Sequence, residues 1–547
     1  MDKNFFKQNN KLKEILLVFL IGSMLFFLIY GINAFKIFPQ PFNDNDYLLY
    51  QASYYAFIDS DFNFPIFNSD KLFVNQEINL IFADYIPIYS LLLKILNKTF
   101  NLFVLNPFMI WIYLNIILIF YFSYKIFSLS RKLNFYDLIL GSTIMATLPL
   151  SPFKFLYHSG EGSHFVIIAS IYLYFKSREN QNYLYYLAIL TSLSLWIHLY
   201  LFAILFGIFF ISLFNYFKNI KVLLSTSLIF TILTSTIFFL SFQSINLFLD
   251  SLKNNVLTQY NPRWGAEFNS FFCSYNNPKF LEELLRCYEP YTLRDVESYA
   301  YLGLGVILFL PIVLFNFKNS YFILKSNKSL ISLSIIFLLF SFGNRIKIAH
   351  KQIYEYKFTE LHLKLIEIFR AHGRFVYLFY YLIVFFTIYK LFIIRNKTIK
   401  ILLLCIFLFI QSFDLIRQYS TTDLNLFRVS ASSNEILELS KSSIKNLEYR
   451  LFIYPPDNCI ENYDMYLFAK EFIKYGGSIS SSRIRGGGSY KNCENITIKN
   501  NLFNYSPEHF IISNSVYIQI KDLLANKYTC ISATGVFKNE IIYYCEV

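Results

Sequence analysis

Apolar runs recur from about residue 15 to about residue 416, and few charged residues interrupt them. In hydrocarbon no water satisfies a backbone N–H or C=O, so runs of this kind are expected to fold as helices that close their own hydrogen bonds. The chain is 55% hydrophobic and 16% charged, with a mean hydropathy of +0.42. These values fit an α-helical polytopic membrane protein. The opening "KNFFKQNNKLKEILLVFLIGSMLFFLIYGI" has a basic start and no small-residue cleavage pattern after Tyr30, so it reads as a retained first span.

About eleven spans are expected, at roughly 14–32, 104–125, 135–150, 163–176, 183–197, 199–217, 222–242, 299–317, 329–343, 374–393 and 399–416. Basic residues fall in every second connection: Lys125, Arg131 and Lys132; Lys176 and Arg178; Lys218 and Lys221; Lys318, Lys325 and Lys328; Lys390, Arg395, Lys397 and Lys400. With Lys3, Lys7, Lys11 and Lys13 at the start, the positive-inside rule puts the N-terminus in the cytoplasm and the C-terminus outside. The net charge of +13 is thus accounted for by topology, and no basic stripe with aromatic platforms suggests nucleic acid. The expected setting is the cytoplasmic (inner) membrane, with the lipid bilayer as the main partner.

Two domains follow: a multi-span domain over 1–416, with outside loops 33–103, 243–298 and 344–373, and an extracytoplasmic α/β tail over 417–547. Strand-like stretches in the tail are "YRLFIYPP", "EHFIISN" and "EIIYYCEV", and helical ones are "SNEILELSKSSIKNL" and "NYDMYLFAKEFIKY". Its glycine-rich "SSRIRGGGSYKNC" lacks the strand-to-helix setting and lysine of a phosphate-cradling loop. Of seven cysteines only Cys405 falls in a span. Three local disulfides are expected on the oxidising side, Cys273–Cys287, Cys459–Cys493 and Cys530–Cys545, although connectivity is not fixed by sequence.

Four constellations could carry chemistry. Asp44 and Asp46, just after the first span, are spaced so that they could share a divalent metal or supply a general base; either could instead cap the next helix. Asp84 precedes an apolar helix over 86–97 and is a second candidate, or its N-cap. "YHSGEGSHF" places His158 and Glu161 in a short outside loop and His164 at the start of a span, with His198 at the next outside turn. Sugar or phosphate contacts suit this set better than zinc, whose usual ligand spacings are missing; the alternative is that these side chains simply face water. In "EIFRAHGRFVYLF", Arg370 and Arg374 flank His372 and would share a face if helical, where two guanidinium forks suit a phosphate or pyrophosphate. Arginines beside a span can also merely snorkel.

Taken in series, "FNFPIFNS", "ADYIPIYSLLLKIL", "SGEGSHFVIIASIYLYF", "WIHLYLF", "ESYAYLGLGVILFL" and "FRAHGRFVYLFYYLI" resemble a family of bacterial polytopic proteins grouped with the GT-C glycosyltransferases, over about residues 30–416. The resemblance implies a GT-C-like fold, a polyprenyl-phosphate-linked sugar donor, transfer outside the membrane to a glycan, lipid or protein acceptor, and a catalytic acid near Asp44 and Asp46. "NDND" departs from a clean D-x-D there, which leaves open both the base and the need for metal. The expected function is an inverting glycosyltransferase; the competing classes are a transporter or flippase of a lipid-linked glycan and a non-catalytic membrane scaffold.

Overall fold

The computed structural model describes residues 3–32, 34–36, 45–69, 78–82, 86–100, 107–130, 133–243, 265–274, 295–315, 327–348, 351–357, 359–360, 365, 368–369 and 371–421; in the tail it describes 451–453, 478–479, 509–513, 517, 521, 524–525, 528–533 and 542–546. Contacts divide the chain into two units, the first Met1–Phe38, Asn106–Thr234 and Gln259–Leu424, the second Pro39–Leu105, Ser235–Thr258 and Asn425–Val547.

The first unit is helical. Its helices are α1 (Lys3–Tyr30), α4 (Pro107–Ser128), α5 (Phe135–Ala146), α6 (Leu150–Tyr157), α7 (Phe165–Ser177), α8 (Asn182–Ser194), α9 (Leu199–Phe214), most of α10 (Ile220–Phe242), α11 (Leu304–Phe315), α12 (Lys328–Ser341), α13 (Tyr377–Phe392) and α14 (Lys397–Thr421), and β3 (Arg345–Ile348) and β4 (Lys351–Glu355) form an antiparallel ladder between α12 and α13. Among the described residues, five helical stretches are long and apolar enough to cross a membrane: Pro107–Ser128, Phe135–Phe155, Ile220–Phe242, His372–Phe392 and Lys397–Gln418. The protein is therefore a mostly helical, membrane-associated chain. On α10 the exposed Leu224, Leu228 and Ile232 recur every fourth residue, the outward stripe expected of a helix whose solvent is lipid.

Packing follows α4 against α1, α5 and α7, then α7 and α8 against α9, and α11 against α13 and α14. Hydroxyls inside the bundle close locally or across helices. Ser192 donates to the Ala188 carbonyl and meets Thr234 Oγ1 at 3.0 Å, while Tyr185 meets Ser225 at 2.9 Å. Helix α5 begins with a reciprocal cap: Asn134 Oδ1 accepts from the Asp137 N–H, and Asp137 Oδ2 accepts from the Asn134 N–H. Gly303, at φ +90°, lets the turn before α11 lie against Gln411, where any Cβ would sit 2.0 Å from the amide nitrogen.

Described elements of the second unit include α2 (Asn45–Asp59), a short ladder of β1 (Asn68–Ser69) with β2 (Ile78–Asn79), and α3 (Pro87–Phe100). Helix α3 turns Tyr89, Ser90, Leu93 and Lys94 inward, as its amphipathic sequence requires. The tail carries β5 (Leu451–Ile453), β6 (Ser478–Ile479), β7 (His509–Ser513), β8 (Thr529–Ala533) and β9 (Ile542–Glu546) in a mixed sheet ordered β6-β5-β7-β9-β8. Phe510, Ile512, Leu524 and Cys545 form its buried core, and Tyr517 stacks on Tyr543. The three expected strands correspond to β5, β7 and β9, whereas both expected helices and the glycine-rich loop lie outside the described residues. Cys530 and Cys545 are bonded to each other across paired positions of β8 and β9. Cys273 is also disulfide-bonded, and Cys405 is free and exposed; Cys287, Cys459 and Cys493 lie outside the described residues.

Candidate functional site

The sequence "YHSGEGSHF" is not a water-facing loop. Residues 158–164 form a buried turn closed on itself: His158 N–H reaches the Lys154 carbonyl at 2.7 Å, Gly162 N–H the His158 carbonyl at 2.9 Å, and His164 N–H the Gly162 carbonyl at 2.7 Å. Neighbours anchor it, since Trp111 Nε1 donates to Ser163 and Ser151 donates to the Gly162 carbonyl. Glycine is required at 162 because a Cβ there would come within 2.6 Å of the Phe155 ring. This packing overturns the alternative in which His158 and Glu161 simply face water: Glu161 is 0% exposed and His158 4%.

A buried carboxylate in an apolar bundle is tolerated only with opposite charge around it. Glu161 has that company. Lys154 Nζ stands 2.9 Å from Oε1, Arg374 Nε stands 3.0 Å from Oε2, and Tyr377 donates its hydroxyl to Oε1. Burial pushes the Glu161 carboxyl up, but the positive charges of Arg374, Lys154 and His158 outweigh it and hold the group below the usual carboxylate range. Arg374 also donates from Nε at 2.8 Å, and from Nη2, to Glu297. Glu297 faces His158 Nε2 at 3.6 Å, and its backbone carbonyl accepts from Lys154 at 3.2 Å.

Aromatic rings wall the cluster. The Arg374 guanidinium lies over Tyr200 at 4.6 Å, and Tyr200 stacks on His198 and accepts the Ala371 N–H at its hydroxyl. His164 lies against Tyr377 with ring centroids 4.6 Å apart, and its Nδ1 meets the Tyr381 hydroxyl at 2.8 Å. The residues His158, Glu161, His164, His198 and Arg374 are thus brought to one end of the helices, by α6, α7, α9 and the turn before α13.

Other expectations fare differently. Arg374 lies in the 3₁₀ turn His372–Val376, entered through Ala371 at φ −87°, ψ 57°, and not on an α-helix. The requirement that its side chain reach two carboxylates explains why it turns inward rather than snorkelling. His372 is buried beside Phe340 and Gly265. Asp44, Asp84 and Arg370 lie outside the described residues, as does the side chain of Asp46, whose backbone is in the first turn of α2.

Sequence reasoning assigned no role to Glu297, Lys154, Tyr200, Tyr377 or Tyr381. Glu297 had a readable signal, an acid immediately before an apolar run. The tyrosines had none among 44 of their kind.

His158, Glu161 and Glu297 bring potential ligand atoms within 4.8 Å of one another, close enough for one divalent cation. The fit is poor, because Lys154 and Arg374 already neutralise both carboxylates and a cation would have to displace them.

Residues 19–416 match the family described as Domain of unknown function (DUF6311), well over half of the 547 residues, and the chain belongs to that family. The match contains the whole charge cluster and ends within α14. No curated protein matches the chain.

Proposed function

We propose that this protein is a glycosyltransferase of the cytoplasmic membrane that moves a sugar from a polyprenyl-phosphate donor to an acceptor on the outer side, with inversion. In this reading about eleven helices cross, the N-terminus is inside, and the tail is outside as in GT-C-like enzymes. Asp46, or Asp44, takes the acceptor hydroxyl proton; the acceptor oxygen bonds to the anomeric carbon as the bond to the lipid phosphate breaks. Arg374, with Arg370, receives the departing phosphate, and the histidines 158, 164 and 198 line the sugar and acceptor side.

One observation carries the reading. Segments around residues 161, 200, 297 and 374 converge to bury two cations, two carboxylates and a histidine at the helix ends that the charge pattern assigns to the outside. A transporter or flippase of a lipid-linked glycan is the second reading. It is favoured by Lys154 lying fully buried in the last turns of a candidate span.

The deciding experiment uses purified protein in lipid nanodiscs and follows release of polyprenyl phosphate from its sugar conjugate. Asp46→Asn should abolish release while leaving donor binding intact, and Asp44→Asn should do less unless a metal joins the two. Full release by both variants at matched expression excludes the transferase, and movement of the conjugate across proteoliposomes would then be measured.

A further inference from the structure

Arg374 is shared by two carboxylates that differ in how firmly they are held. Glu161 is fully enclosed, is fixed in the closed turn between α6 and α7, and has Lys154 and the Tyr377 hydroxyl as further partners. Glu297 sits in the four-residue 3₁₀ turn Asp295–Ser298, and its side chain keeps 16% of its surface exposed while that of Arg374 keeps 3%. One of its oxygens, Oε2, accepts from both Nε and Nη2 of the guanidinium, the edge that a phosphate also fits, and the other, Oε1, stands against His158 Nε2.

We propose that Glu297 is an exchangeable internal counter-ion: it occupies the Arg374 fork until a phosphate group of the substrate displaces it, and His158 then faces the phosphate in its place. Glu161 stays and keeps Arg374 oriented, so Arg374 is never left without a carboxylate. Glu297 is on this account a specificity element, since a neutral headgroup has no means of displacing it. The inference rests on the phosphate-bearing substrate proposed above and adds to it the residue that competes for the site.

Competition gives the inference its sign. If Glu297 fills the fork most of the time, apparent affinity for phosphate is reduced by the fraction of molecules in which the fork is open, and removing the carboxylate raises affinity by about tenfold for a ten-to-one occupancy. The experiment measures binding of a polyprenyl monophosphate and, in parallel, of inorganic phosphate to the full chain in detergent. Parent, Glu297→Gln and Glu297→Ala are compared, with size-exclusion profiles confirming monodisperse protein. About tenfold tighter binding of the lipid phosphate alone supports the proposal and assigns the phosphate to a lipid. The same gain with inorganic phosphate also supports it and assigns the effect to the headgroup. Unchanged or weaker binding by the monodisperse variants, with a parent that binds, overturns the exchange while leaving the transferase reading intact. No binding of either ligand by parent or variants overturns both.

Discussion

Two buried ionic sites occupy opposite ends of one candidate span, and they are built differently. At the start of α5, Asp137 pairs with Lys400 of α14 at 2.6 Å, and Asp137 also completes the helix cap. That is one anion for one cation. At the far end, beyond α6, Lys154 and Arg374 meet Glu161 and Glu297, with His158 beside them and tyrosine faces around them. The first site does what a structural pair does, joining α5 to α14. The second holds more charge than joining α6 to α13 requires, and one of its members reaches the surface. Surplus buried charge with a partly exposed member is the property that separates a candidate site from a tie.

The difference should appear most strongly in stability. Glu161→Gln leaves Lys154 and Arg374 to share Glu297, and removing the fully buried carboxylate of the network in this way should cost about 3–5 kcal/mol, read as a lowered thermal midpoint in detergent. Asp137→Asn should cost less, about 1–3 kcal/mol, because the Lys400 side chain retains 10% exposure and asparagine can still accept at the cap. Equal losses would make the two sites alike and break the comparison.

Function should separate them next. Arg374→Lys keeps the charge and loses the fork, so donor binding should weaken by about tenfold with normal membrane insertion, and Arg370→Lys should act in the same direction. Asp137→Asn, matched for folded protein, should leave donor binding unchanged. Should both lysine variants bind as the parent does, neither arginine contacts the donor phosphate, and the Arg374 cluster is as structural as the Asp137–Lys400 pair.

A simple tie should also be replaceable. Asp137→Asn combined with Lys400→Met is expected to recover most of the loss seen in either single variant, a coupling of about 1 kcal/mol in a double-mutant cycle. Glu161→Gln with Lys154→Met should show no such recovery, because Arg374 still lacks its fixed partner.

The smallest effect is in acid. Glu161 is held below its ordinary pKa of 4.5, at about 2, so its contribution to stability is complete well above 4.5 and is lost progressively as pH falls from there toward about 2. The gap in thermal midpoint between parent and Glu161→Gln should narrow between about pH 6 and about pH 4, by under about 1 kcal/mol. A gap that widens on acidification would mean that Glu161 is neutral in the folded protein.

The sequence by itself determined the helical class, since long continuous apolar runs satisfy their backbone in lipid as helices, and each expected span overlaps a described helix, five stretches of which are long and apolar enough to cross. It also pointed to three strands of the tail through local alternation and made Cys530–Cys545 an expected pair through short spacing, and the register of β8 with β9 then set those two cysteines opposite each other. It singled out His158, Glu161, His164, His198 and Arg374 as polar residues out of place in an apolar chain. Only the tertiary structure decided what those residues touch. Glu161 and Tyr377 stand 216 positions apart in the chain, and no periodicity relates them. The fold likewise decided that "YHSGEGSHF" packs inward, because the feature that closes the turn, Gly162 against Phe155, is a matter of distance rather than composition. Glu297 was legible as an acid at a span entrance, but its partnership with Arg374 exists only where two 3₁₀ turns, Asp295–Ser298 and His372–Val376, are packed together.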